Sequence, residues 1–240
     1  RDLVRSRGLG DVYKRQGDKS EMSRRIDEKL AGGYRVLKLK IGGIDFNEEL
    51  ELLKYIRSRY SADTLELRLD ANGSFTADNA LNRLEKLSVY DIHSLEQPIK
   101  AKQWDAMARI CKSSPIPIAL DEELIGTPTQ EYAYQLLDYI KPQYIILKPS
   151  LCGGLKAASM WADSATSKGI GWWATSALES NIGLAAIGRW ISGYKYSMPQ
   201  GLGTGQLYHN NIESPLYISE GELFYDPNQQ WIIPELQWRR

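Results

Sequence analysis

The chain has 240 residues, with 30 lysines and arginines against 30 aspartates and glutamates, so its formal charge is zero and nothing in the balance favours nucleic acid or a charged membrane surface. Two cysteines, Cys111 and Cys152, are too few for a disulfide framework and suit a reducing compartment. No apolar run reaches the roughly 18 residues of a membrane helix, so the expectation is a cytoplasmic globular chain with no membrane partner, close to the roughly 250 residues of a single barrel.

The first sixteen residues, Arg1 to Gln16, carry five lysines or arginines and show neither a helical nor a strand period. They resemble translated adapter read-through at the end of an assembled sequence read, and are expected to be a non-native tail outside the fold. From there two periods alternate. Residues 20–31 predict a helix, with Ser20 as N-cap, Met22, Ile26 and Leu30 in one stripe, and Gly32-Gly33 at the end. Residues 35–41 predict a short strand, 46–59 a helix with Leu50, Leu53 and Ile56 inward, 65–70 a strand and 77–87 a helix. Strands at 92–96, 118–121, 144–148 and 171–175 then alternate with helices at 104–112, 128–137, 155–168 and 181–191. This order predicts a parallel sheet with right-handed crossovers. Without a dinucleotide glycine fingerprint or a phosphate-binding loop, a barrel is favoured over a doubly wound nucleotide fold.

Five predicted strands end in a charge: Lys40, Asp70, Glu96, Asp121 and Lys148, at intervals of 30, 26, 25 and 27 residues. One such residue marks only where a strand meets solvent. Five in succession, acids between lysines, converge on one barrel mouth, where catalytic groups sit. Three converging carboxylates repel one another unless a hard cation such as Mg²⁺ lies among them. An amine beside a dication has a depressed pKa and can act as a base at neutral pH. That set suits removal of a proton alpha to a carboxylate, with positive charge stabilising the enediolate.

The runs Lys38-Leu-Lys40, Leu69-Asp-Ala-Asn-Gly73, Glu96-Gln-Pro98, Leu120-Asp-Glu122 and Leu147-Lys-Pro149 resemble, in order, the signature of the muconate-lactonizing subgroup of the enolase superfamily. Residues 176–184 and 201–208 are similar to its o-succinylbenzoate synthase branch. The resemblance implies a (β/α)7β barrel and a lyase of menaquinone biosynthesis. That enzyme dehydrates 2-succinyl-6-hydroxy-2,4-cyclohexadiene-1-carboxylate in a syn sense. Asp70, Glu96 and Asp121 would bind Mg²⁺, with Mn²⁺ as substitute, and Lys40 and Lys148 would be catalytic. Lys38, Asn72, Ser176, Ser180 and Gly203, within the loop 201–205, would contact a small-molecule carboxylate substrate, and Asn72 and Glu122 are also candidates to support the metal and lysine groups from behind. The family also carries an N-terminal capping domain. That domain and the first barrel strand, due just before Gly17, are expected to be missing here. Residues 17–216 would form the catalytic barrel and 217–240 a segment packing on the cap, in a fragment inactive by itself.

A racemase or epimerase of N-acylamino acids or dipeptides, or a cycloisomerase, would use the same lysines and metal, and a barrel remnant without ligand is a third reading. His93, within a strand, His209, in a loop, and Cys111 and Cys152, without a neighbouring base, are expected to be structural or peripheral. Trp172 and Trp173 are expected in the core and the helix layer. No sequence feature fixes an oligomeric state.

Overall fold

The computed structural model describes residues 9–12, 19–126, 128–195, 198–203 and 208–233. Seven parallel strands lie in sequence order: β1 (Leu9–Val12), β2 (Val36–Lys40), β3 (Glu66–Asp70), β4 (Ile92–Glu96), β5 (Ile118–Leu120), β6 (Tyr144–Leu147) and β7 (Gly171–Ala174). Helices α1 (Lys19–Ala31), α2 (Phe46–Arg59), α3 (Ala80–Leu87), α4 (Trp104–Ser113), α5 (Gln130–Ile140), α6 (Gly154–Ser167) and α7 (Asn181–Ile191) follow the strands in turn. A parallel bridge from Thr175 to Gly201 adds one more step beyond β7.

Period-two alternation divides each strand between two cores. Leu37, Leu39, Leu67, Leu69, Leu95, Ile118, Leu120, Ile145, Leu147 and Trp172 pack outward with the helices. Val36, Ala119, Ile146 and Trp173 form a separate inner cluster. The sheet curls far enough for non-neighbouring strands to meet inside it. The Arg68 guanidinium of β3 lies 4.3 Å from the Trp173 ring of β7, and His93 of β4 stacks on Tyr144 of β6 at 5.0 Å. Those cross-sheet contacts are the geometry of the (β/α) barrel that the alternation predicted.

The structure departs from the sequence expectations in a few places. Leu9–Val12, from the segment set aside as a tail, pairs in parallel with β2 where a first strand would lie. The edge of β2 offers unpaired N–H and C=O groups, which any extended segment can satisfy. Residues 1–8 and 13–18 lie outside the described part. Helix α1 begins at Lys19, so Ser20 is inside its first turn and is not its N-cap. The segment expected to reach for a cap contains a hairpin, β8 (Leu216–Ser219) and β9 (Glu222–Tyr225), which buries Leu223. Residues 234–240 of that segment are outside the described part.

The hairpin turns at Glu220 and Gly221, both with positive φ (51° and 73°), and presses against the loop after α1. A Cβ on Gly33, itself at φ 88°, would fall 2.3 Å from the Glu220 carbonyl carbon. Gly33→Ala should therefore lower stability by about 2–4 kcal/mol, through the forced left-handed backbone and the backbone clash. Gly43, where an added Cβ would meet nothing within 4 Å, is the control, expected to change by less than about 1 kcal/mol. Urea unfolding of both variants checks this, and equal effects would show that the hairpin contact does not matter.

Candidate active site

Inward-facing positions continue past the ends of the strands, and there they turn ionic. In β2 the parity of Val36 carries on through Lys38 and Lys40. In β3 it reaches Asp70, in β4 Glu96, and one residue beyond β5 and β6 it reaches Asp121 and Lys148. The six groups named from sequence meet at one mouth. Asp70, Glu96 and Asp121 are 1%, 2% and 3% exposed, so the carboxylates form a buried layer and not a solvated rim.

Two lysines compensate that layer. Lys38 Nζ lies 2.9 Å from Asp70 Oδ2 and 2.8 Å from Glu96 Oε2, bridging adjacent strands. Lys148 donates to Asp121 and lies 3.9 Å from Glu96 Oε1. Lys40 is more open, 3.9 Å from Asp70 Oδ2, and donates to Asn72 Oδ1 at 2.8 Å. Burial pushes the Glu96 carboxyl well above the ordinary carboxylate range; Lys38 opposes this, and Asp70 and Asp121 reinforce it. For Lys148, burial works against the charge, yet Asp121 and Glu96 outweigh it and raise the pKa. Facing carboxylates alone, this amine is held charged, the reverse of the depression a dication would cause.

Among the described residues, no three His, Cys, Asp or Glu side chains converge closely enough to enclose a metal ion, because lysine ammonium groups stand between the carboxylates. The donor chemistry nevertheless fits a hard divalent cation. Three buried carboxylates come from consecutive strands, and the middle one is pushed towards protonation for want of positive charge.

The residues expected to touch substrate divide. Asn72 faces its neighbours: its amide accepts from Lys40 and donates to Glu122 Oε1 at 2.9 Å, and its own backbone N–H reaches Asp70 Oδ1 at 2.9 Å. Ser176 Oγ accepts from the N–H groups of Leu178 and Glu179, each at 3.1 Å, and donates to the Glu179 carboxylate, so its hydroxyl is committed to its own loop. Ser180 is exposed at the start of α7 and makes no side-chain cap bond. Gly203 is half-buried just past the Gly201 bridge, and residues 204–207 lie outside the described part.

Sequence reasoning passed over three residues that build the site. Gln97, fully buried at φ 40°, accepts from the Asp121 N–H at 3.1 Å and donates to Ile99 O at 3.0 Å, fixing Asp121 to the β4 loop. Its only signal was its place inside Glu96-Gln-Pro98. Glu49 of α2 accepts from the Gly42 N–H at 2.7 Å and the Gly43 N–H at 3.3 Å, tethering the turn that follows Lys40. Thr175, in register beyond Ala174, donates to Gly201 O at 3.0 Å. His93 stacks inside the barrel below the ionic layer, and burial pushes the Cys111 and Cys152 thiols up to about 12 and about 11, far from thiolate chemistry. Trp173 lies in the inner cluster and Trp172 in the helix layer.

Comparison with known proteins fits this geometry. The family model described as enolase C-terminal domain-like matches residues 21–224. An o-succinylbenzoate synthase from Desulfotalea psychrophila is 54% identical over 207 residues, covering 86% of this chain and 56% of that protein. The crystal structure of MenC from the same organism superposes with a TM-score of 0.85 at 51% identity, covering 92% of this chain and 60% of that one. An L-amino acid-D/L-Glu epimerase from Francisella philomiragia is 28% identical over 178 residues, 73% of this chain and 49% of that protein. The muconate lactonizing enzyme of Pseudomonas putida shares the fold, with a TM-score of 0.83 at 23% identity, over 93% of this chain and 61% of that one. The chain thus spans about half to three-fifths of the length of these relatives.

The raised Glu96 pKa has a consequence for stability. Between its unfolded value near 4.5 and the higher folded value, the fold holds a proton that the unfolded chain releases, so stability falls as pH rises through that window. Denaturation in a chelator at pH 4.5 and above should show this decline, and Glu96→Gln should flatten it. An unchanged slope in the variant would remove Glu96 as its source.

Proposed function

The chain belongs to the enolase C-terminal domain-like family, and from that premise we propose that the protein carrying it is a carbon–oxygen lyase forming o-succinylbenzoate in menaquinone biosynthesis. The observation that carries this is the 54% identity with the Desulfotalea o-succinylbenzoate synthase over 86% of the chain, which spans the whole mouth. Residues 17–216 are read as the catalytic barrel and 217–240 as a segment that would pack on a capping domain. Among the described residues no helix is long and apolar enough to cross a membrane, and a cytoplasmic site of action is proposed.

The substrate is 2-succinyl-6-hydroxy-2,4-cyclohexadiene-1-carboxylate. Lys40 Nζ donates to Asn72 Oδ1 at 2.8 Å, with Asp70 Oδ2 at 3.9 Å, and these partners hold the amine at the mouth. Lys40 takes the C1 proton, the C1–H pair moves into the substrate carboxylate as an enediolate, and that pair then returns to form the C1–C6 π bond as the C6–O bond breaks. The same nitrogen, on the same face, returns its proton to the departing hydroxide, so o-succinylbenzoate and water leave. Lys148, held charged opposite, stabilises the negative charge gathering on the substrate carboxylate and ring. Lys38 spaces Asp70 from Glu96 and adds its own charge towards that carboxylate. Asp70, Glu96 and Asp121 are the residues that would hold Mg²⁺ or Mn²⁺, which when bound supplies the positive charge such an enediolate requires. Asn72 acts as a positioning residue for Lys40 and not as a substrate ligand.

A second reading is favoured by the lysine pair itself and by the 28% identical Francisella epimerase. A base on each face can move a proton from one side of a carbon to the other. Incubation of the purified protein with the cyclohexadiene substrate in deuterated buffer with Mg²⁺ separates the two. The dehydratase reading expects aromatic product, with Lys40→Ala lowering the rate about a thousandfold and Asn72→Ala about tenfold. Solvent deuterium entering N-acylamino acids or dipeptides, with no aromatic product from the cyclohexadiene, would replace it by the epimerase reading.

A further inference from the structure

The loop after β7 contains a backbone feature that the reaction above does not use. Seven described residues other than glycine have positive φ: Asn72, Asp91, Gln97, Lys102, Lys141, Leu178 and Glu220. Six have polar or charged side chains. Leu178, at φ 73°, is the exception, and a bulky apolar residue in the left-handed region is strained relative to glycine or asparagine.

Packing does not compensate the strain, because Leu178 is 46% exposed. Polar clamps on either side hold it. Ser176 Oγ accepts the N–H groups of Leu178 and Glu179, each at 3.1 Å, and Tyr208 donates its hydroxyl to Leu178 O at 2.5 Å. The loop thus leaves Leu178 exposed just past the C-terminal end of β7, one strand over from Lys148. A turn needing only this backbone would be better served by glycine. Strain held by surrounding structure next to an active site is the mark of a side chain presented for use.

We propose that Leu178 is a specificity-determining residue, which presents an apolar contact to the part of the substrate projecting beyond the reacting carboxylate ring. On the reading above, on which this inference rests, that part is the succinyl arm. Ser176 then serves the substrate indirectly, by holding Leu178 in place.

The test uses the 240-residue chain with Mg²⁺ and two probes, o-succinylbenzoate and benzoate, together with melting of the ligand-free chain. Leu178→Gly relieves the backbone and removes the contact. It should melt about 1–4 °C higher while binding o-succinylbenzoate about tenfold more weakly and benzoate no differently. Leu178→Ala keeps the strained backbone and should weaken o-succinylbenzoate similarly without the rise in melting temperature. Equal affinity of the unaltered chain and both variants for o-succinylbenzoate overturns the role of Leu178 alone. Lower melting of Leu178→Gly with weakening of both ligands also overturns it, by showing a packing role. If the unaltered chain binds benzoate but not o-succinylbenzoate, the proposed function falls and this role with it; if it binds neither, the role of Leu178 in this chain falls while the proposed function of the protein carrying it stands.

Discussion

Three carboxylates within one buried layer cannot share it unless positive charge lies between them, and the mouth of this barrel is organised around that requirement. Asp70, Glu96 and Asp121 are each 3% exposed or less, on consecutive strands whose spacing brings them together. Lys38 and Lys148 answer the charge from the two flanks, one on β2 and one after β6. Even so, the compensation is incomplete at the centre, where Glu96 has a carboxylate on either side and is pushed towards its neutral form. A site that is strained electrostatically with its own residues alone is prepared for an added cation. It therefore resists replacement of a single partner, since removing one member of a buried charge cluster exposes the rest.

The same requirement explains how the surrounding backbone is built. Lys40, Asp70 and Glu96 end their strands, and Asp121 and Lys148 lie one residue past theirs, so the ladder runs out around them and side chains take over. Gln97 ties Asp121 to the β4 loop, Asn72 ties Asp70 and Lys40 to Glu122, and Glu49 ties the glycine turn after Lys40 to α2. Gln97 and Asn72 both have positive φ, at 40° and 44°. Two of the seven described non-glycine residues with positive φ thus lie where charges must be aimed.

The fold was legible because apolar alternation sets both faces of every strand. The helices at 46–59 and 181–191 and the strand at 92–96 have the bounds expected from the pattern. Ends decided by side-chain capping were less visible. Helix α3 starts at Ala80 rather than residue 77, because Thr76 and Asn79 bond each other's backbone N–H groups and hold a turn ahead of it. Helix α5 starts after Thr129, whose hydroxyl accepts from the Tyr132 N–H, and runs to Ile140 because Lys141 adopts the left-handed cap. Both depend on hydrogen bonds that periodicity does not encode.

The site shows the same division more sharply. Strand ends and spacing located five of the inward charges, and the family resemblance added Lys38, but neither told what neighbouring polar residues would do. Asp121, Glu122 and Glu123 are three acids in a row with three different roles. Asp121 joins the ionic layer, Glu122 sets the amide of Asn72, and Glu123 turns away to accept from Trp104 Nε1 and the Lys102 N–H, each at 2.8 Å. Likewise Ser176 has the composition of a ligand contact, yet its hydroxyl closes its own loop, while the apolar neighbour two residues on is the one left facing out. Strand register determines where a charge points, because it is a property of the whole sheet. Loop partners are chosen locally, by whichever N–H lies within reach once the chain has turned, so the residue types that suggest recognition in a sequence can be the ones that hold the scaffold.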